Sequence, residues 1–153
     1  MDASRREFVT VGGLLAALAA AGSKAAELQS GLAWNREAFE AKTVADALRA
    51  LGVAVARDGV ELEVTAPEIA EDGAVVPVVV QCRAAGTREI HILVDRNPFS
   101  LAASFLIPDG TEPFVSTRIK MRETADVIAL AVAGGQSYLA RKQVKVTVGG
   151  CGG

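Results

Sequence analysis

The sequence predicts a mainly β protein: an antiparallel immunoglobulin-like β-sandwich with one N-terminal helix and a flexible C-terminal arm. Three observations predict it. From residue 60 onward, apolar and polar residues alternate with a period of two in seven short segments separated by turn residues, the pattern of a sandwich built from half-buried strands. Only one stretch after the N-terminal leader, residues 34–51, carries helical spacing. Finally, the chain ends in Gly149-Gly150-Cys151-Gly152-Gly153, which has no strand or helix pattern at all.

The first element is a leader. Arg5 and Arg6 stand directly before an apolar run from Val9 to Ala21 that is rich in alanine and leucine. A membrane-spanning helix needs roughly 18 or more apolar residues, so this shorter run reads as an export signal that is removed. Paired arginines after Ser4 and before Glu7-Phe8 fit a twin-arginine signal, although Val9 and Thr10 stand where leucine and lysine are usual. The expected organisation is therefore a signal peptide over residues 1–25, with cleavage after Ala21 or Ala25 both open, a β-sandwich domain over 26–148 and a glycine-rich arm over 149–153. The expected location is the periplasm, with no membrane contact once the signal is gone.

In the helix, Glu37, Ala41, Val44, Leu48 and Leu51 recur at helical spacing; Asn35 is placed to cap its start and Gly52 to end it. The strands follow at 60–65, 75–82, 88–94, 100–107, 115–122, 127–132 and 138–148. Turn residues such as Glu71-Asp72-Gly73, Arg96-Asn97-Pro98, Pro108-Asp109-Gly110 and Gly134-Gly135 separate them. Cys82 shares a strand face with Val76, Val78 and Val80 and reads as a buried, inert thiol. His91, the sole histidine, falls on the face of Glu89, Leu93 and Asp95 and is expected to face solvent. In the segment 115–122, Val115, Thr117, Ile119 and Met121 alternate with Ser116, Arg118, Lys120 and Arg122. The resulting basic stripe is an ordinary solvated face or a docking surface for an acidic partner.

Composition narrows the function. The chain holds 16 basic and 18 acidic residues. Cleavage after Ala25 leaves 13 basic against 16 acidic, because Arg5, Arg6, Lys24, Asp2 and Glu7 depart with the signal. A mildly acidic body argues against nucleic acid as a partner. Two cysteines and one histidine make neither a conventional zinc site nor a disulfide framework, and no haem-attachment, P-loop or dinucleotide motif is present, so no resident metal or cofactor is expected.

Function then falls to the tail. Glycine adds no bulk and reaches backbone conformations closed to other residues, so Gly149, Gly150, Gly152 and Gly153 put Cys151 on a thin strip of chain able to enter a narrow cleft. Five extended residues carry the sulfur roughly 15 Å. A free thiol has a pKa of about 8.5, and the tail supplies no base or cation to lower it. Activation must come from a partner that receives the arm, so the chain is expected to be a carrier and not an enzyme. An exported interaction domain that forms an intermolecular disulfide through Cys151 is the alternative. A thiol-dependent enzyme is disfavoured by the lack of a base or resolving cysteine beside the arm.

The run Val144-Lys145-Val146-Thr147-Val148 leading into Gly149-Gly150-Cys151-Gly152-Gly153, together with Ala38-Phe39-Glu40-Ala41-Lys42, Asp46-Ala47-Leu48, Gly52 and the twin-arginine leader, resembles the SoxY family of thiosulfate-oxidation carrier proteins. The resemblance implies that Cys151 holds thiosulfate-derived sulfur species covalently while separate periplasmic enzymes act on them. The implied partners are a SoxZ-like β-sandwich subunit, a c-type cytochrome that joins thiosulfate to the cysteine, a metal-dependent hydrolase that releases sulfate and, in some organisms, a sulfane dehydrogenase. Cys82 is outside the family motif.

Overall fold

The computed structural model describes residues 34–148, and the elements below lie in the unit that begins at Asn35. The leader with Arg5 and Arg6, and the arm with Gly149, Gly150, Cys151, Gly152 and Gly153, lie outside the described residues.

Two short helices come first, α1 (Arg36–Glu40) and α2 (Val44–Ala50). Nine strands follow: β1 (Arg57–Asp58), β2 (Leu62–Thr65), β3 (Ile69–Asp72), β4 (Val76–Cys82), β5 (Thr87–Val94), β6 (Leu101–Leu106), β7 (Phe114–Ile119), β8 (Ala125–Ala133) and β9 (Gln136–Val148). The larger sheet has the order β1-β9-β8-β5-β6, with β3 also paired to β9. The smaller has the order β2-β4-β7. All pairings are antiparallel except those of β1 and β3 with β9, which are parallel.

Alternation decides what lies between the sheets. Val76, Val78, Val80 and Cys82 of β4 face Ile90, Ile92 and Val94 of β5, Val127 and Ala129 of β8, and Val144 of β9 in one buried cluster. Cys82 is thus a buried free thiol on the face read from the sequence. Strands β5 and β8 are buried on both sides. Their other faces, with Leu93, Ile128 and Leu130, pack with Leu101 and Leu139 beneath Ala38, Ala41 and Ala47 of the helical segment. Small alanine side chains let the helices approach the sheet closely, and the molecule gains a third layer there.

The single helix expected over 34–51 is broken in two. Ala41 is extended and its carbonyl accepts a 2.9 Å bond from Ser100 N–H beside β6, which takes it out of a helical ladder. Thr43 then caps α2, its hydroxyl accepting from Asp46 N–H at 3.1 Å. Asn35 caps α1 as expected, accepting from Ala38 N–H at 3.0 Å, and its Nδ2 donates to Ala50 O at 2.9 Å. Gly52, at φ 75°, ends α2 with its N–H on Arg49 O and Val53 N–H on Leu48 O, the paired bonds of a Schellman motif. The helices lie over the face of the larger sheet, not at the end of the sandwich.

The seven expected strands are all present with shifted ends. Gly134 (φ 56°) and Gly135 (φ 76°) form the two-residue turn of the β8–β9 hairpin, whose type I′ geometry needs positive φ at both positions. The strand expected over 115–122 stops at Ile119, because Asn97 bridges Lys120 O and Arg122 N–H at 2.7 and 3.0 Å and turns the chain away.

Candidate functional site

The described part of the site is the base from which the glycine-cysteine tail departs. Strand β9 is thirteen residues long and changes neighbours along its length. From Gln136 to Val144 it pairs with β8, ending at Ala125↔Val144. Val144 is fully buried between the sheets. Beyond it the other side of the strand takes over: Ile69↔Lys145, Ala70↔Val146 and Asp72↔Val148 join β9 to β3 in parallel.

Every residue of this last stretch is held. Lys145 N–H donates to Glu68 O at 2.9 Å, and Val146 N–H donates to the Thr124 hydroxyl at 3.0 Å. The Thr147 hydroxyl donates to Glu71 O at 2.9 Å. Val148 O accepts from Gly73 N–H at 2.7 Å, and Gly73 O in turn accepts from Met121 N–H at 2.7 Å. The Asp72 carboxylate closes the turn by accepting from Ala74 N–H at 2.7 Å. The backbone is thus held through Val148, the last described residue. Val148 itself is 64% exposed, so the chain has climbed out of the core by the point where the tail begins.

The chemistry at this exit is acidic and apolar. Glu71 and Asp72 are exposed on the strand paired with Thr147 and Val148, and Val75 and Val148 add exposed apolar surface.

The remaining sequence candidates fall elsewhere. Cys82 sits beneath the loops at 83–87 and 108–113, with the Thr87 hydroxyl 3.3 Å from its sulfur and 2.7 Å from Ala84 O. His91 corrects the expectation of a solvent-facing side chain. The outer face of the larger sheet is covered, and the ring is buried between Ser104 on β6 and Leu130 on β8. Burial lowers its pKa, and the Glu89 carboxylate partly opposes that shift. In the neutral ring Nε2–H donates to Glu89 at 3.0 Å, leaving Nδ1 to accept from the Ser104 hydroxyl at 2.9 Å. The basic stripe is as read: Val115, Ile119 and Met121 are buried while Ser116, Arg118, Lys120 and Arg122 are exposed. Sequence reasoning missed β3, the strand that clamps the tail's base. The alternation of Ile69 and Glu71 with Ala70 and Asp72 was its only trace, hidden between Pro67 and the Asp72-Gly73 turn.

Fold and exit together define an immunoglobulin-like β-sandwich that feeds a doubly flanked last strand into a glycine-bounded thiol encoded at residue 151. Comparison with known proteins agrees. Residues 48–151 match the family described as sulfur oxidation protein SoxY, and the chain belongs to that family. The structure is similar to that of the sulfur carrier protein SoxY from Chlorobium limicola f thiosulfatophilum, with a TM-score of 0.64 and 36% identity, covering 74% of this chain and all of that one. A superoxide reductase (neelaredoxin) from Ignicoccus hospitalis shares the fold at a TM-score of 0.50 and 21% identity, over 56% of this chain and 79% of its own. No curated protein sequence matches the chain.

Proposed function

We propose that this protein is a periplasmic covalent carrier of sulfur intermediates in thiosulfate oxidation, with Cys151 as the attachment point. The observation that carries the reading is the clamping of β9 up to Val148, directly before a tail whose only reactive side chain is Cys151. A rigid base and a slender glycine tail let separate enzymes meet one tethered substrate at high effective concentration. Membership of the SoxY family and the likeness to a sulfur carrier supply the substrate class. Arg5 and Arg6 direct export through the twin-arginine route.

In loading, the Cys151 thiolate and the outer sulfur of thiosulfate form a sulfur–sulfur bond, and the two electrons lost pass to a c-type cytochrome partner. Attack of water on the terminal sulfone group then breaks the next sulfur–sulfur bond, releasing sulfate and leaving a persulfide on Cys151 with no change in electron count. A metal-dependent hydrolase performs that step. A sulfane dehydrogenase, where present, oxidises the remaining sulfur. Throughout, a SoxZ-like subunit accompanies the carrier. The chain performs none of the chemistry alone.

The test is intact-mass and C-terminal peptide mass spectrometry on protein isolated without reductant from cells grown with and without thiosulfate. Thiosulfate-dependent sulfur adducts confined to the Cys151 peptide, absent from a Cys151→Ser variant, are expected. An unmodified thiol, or a chain-to-chain disulfide under both conditions, overturns the proposal.

A further inference from the structure

Strands β6 and β7 are the last strands of the larger and the smaller sheet, and the sandwich stays open along the seam between them. A groove of about 510 Å³ follows this seam. That volume falls among the clefts of roughly 300–1,000 Å³ that hold small molecules. Leu101 on β6 and Ile119 on β7, both buried, form its floor together with the half-buried Ala102, whose small side chain leaves the seam unfilled. Phe99, 50% exposed, stands at its mouth. Asn97 also lines the groove and ties its two walls together: Nδ2 donates to Lys120 O at 2.7 Å and Oδ1 accepts from Arg122 N–H at 3.0 Å. The turn before β6 and the end of β7 are thereby held at a fixed spacing, so no ligand has to organise the groove on arrival.

The charge on the lining has one sign. Arg118 and Lys120 line the groove and no carboxylate does, and neither cation forms an ion pair among the described residues. Their aliphatic stems suit an apolar wall while their charged ends suit an anion at its rim. An apolar trough with two free cations on one wall calls for a molecule of both characters. A neutral hydrocarbon leaves the cations unanswered, and an inorganic anion leaves the trough wet. A bilayer is a poor match as well, because the apolar floor is sunk between two strands, where one alkyl chain fits and a lipid surface does not reach.

We infer that the β6–β7 groove binds one monomeric, single-chain anionic amphiphile, a fatty carboxylate or an alkanesulfonate, with its chain against Leu101, Ala102 and Ile119 and its head group on Arg118 and Lys120. Apolar burial along the trough supplies affinity that grows with chain length. The two cations fix the orientation of the ligand and reject an amphiphile of positive charge. The inference stands apart from the carrier reading, since it uses no residue of the tail.

Isothermal titration calorimetry of dodecanoate into the purified chain under reductant tests it, with amide chemical shifts to locate the site. One site with a dissociation constant of about 10–100 µM is expected, and shift changes centre on residues 97–103 and 118–120. Octanoate, four methylenes shorter, binds about tenfold more weakly, and dodecyltrimethylammonium at least about tenfold more weakly than dodecanoate. Arg118→Gln combined with Lys120→Gln raises the dissociation constant about tenfold, and Ala102→Trp, which fills the trough, raises it by a similar factor. Circular dichroism identifies the variants that keep the fold, and the exposed double substitution carries the test if the tryptophan variant does not. Equal affinity for the anionic and cationic probes, an affinity unmoved by the double substitution, shift changes away from the groove, or stronger binding to phosphatidylglycerol vesicles than to monomeric dodecanoate overturns the inference. So does binding that weakens as the chain is concentrated, which would mark the groove as covered by a second copy.

Discussion

Shortening Val144, Val146 and Val148 to alanine, one at a time, tests the emergence of β9 from the core. The three side chains share one face of the strand, but Val144 is fully buried, Val146 half-buried and Val148 64% exposed. Val144→Ala removes two buried methyl-sized groups at about 0.8 kcal/mol each and leaves a small cavity, for a total of about 2 kcal/mol. Val146→Ala costs about 1 kcal/mol by the same reasoning at half the burial. Val148→Ala falls within about 0.5 kcal/mol of the parent, as exposed substitutions do. Urea unfolding followed by circular dichroism reads the series as a falling sequence of midpoint shifts with an unchanged slope. In thermal melts, Val144→Ala lowers the midpoint by roughly 8 °C for a domain of this size. Equal costs for Val144→Ala and Val148→Ala would refute the gradual exit of the strand and with it the placement of the tail's base.

Further outcomes follow from the helical layer and the buried histidine. Asn35→Ala removes the cap on Ala38 N–H and the bond to Ala50 O together and lowers stability by about 1–2 kcal/mol, measurable in the same unfolding assay. Burial holds the folded pKa of His91 below its ordinary 6.5, so the unfolded chain takes up the proton first as pH falls. The stability tied to neutral His91 is complete above about pH 6.5 and is lost as pH drops from there toward the folded value. His91→Gln should flatten that slope between pH 7 and pH 5, and an unchanged slope would show that the histidine does not titrate differently on folding.

Much of this fold could be read from period-two alternation, because a strand with one face on the core must repeat every second residue. The core thiol Cys82 and the basic face of β7 followed directly from that rule. The break between α1 and α2 did not, since a helical period continues across Ala41-Lys42-Thr43. Thr43 and Asp46 had the spacing of a cap and were the local clue. His91 was misplaced because alternation assumes a solvated outer face, whereas the helices make the larger sheet buried on both sides. Strands β1 and β3 left little or no trace because parallel additions of two and four residues take their hydrogen bonds from distant β9 and need little pattern of their own. Cys151 is the reverse case: its candidacy rests on five residues of sequence alone and lies outside the described residues.

The double flanking of β9 also has a mechanical side. Under a pull on the C-terminal end, tension enters the fold at Val148 and runs along the axis of β9. The bonds to β3 on one side and β8 on the other lie across that axis, so they are strained together in shear and do not open one after another. Gly73 passes part of the load sideways to Met121 in the opposite wall of the sandwich. A fold pulled from that end is thereby protected against being unravelled bond by bond.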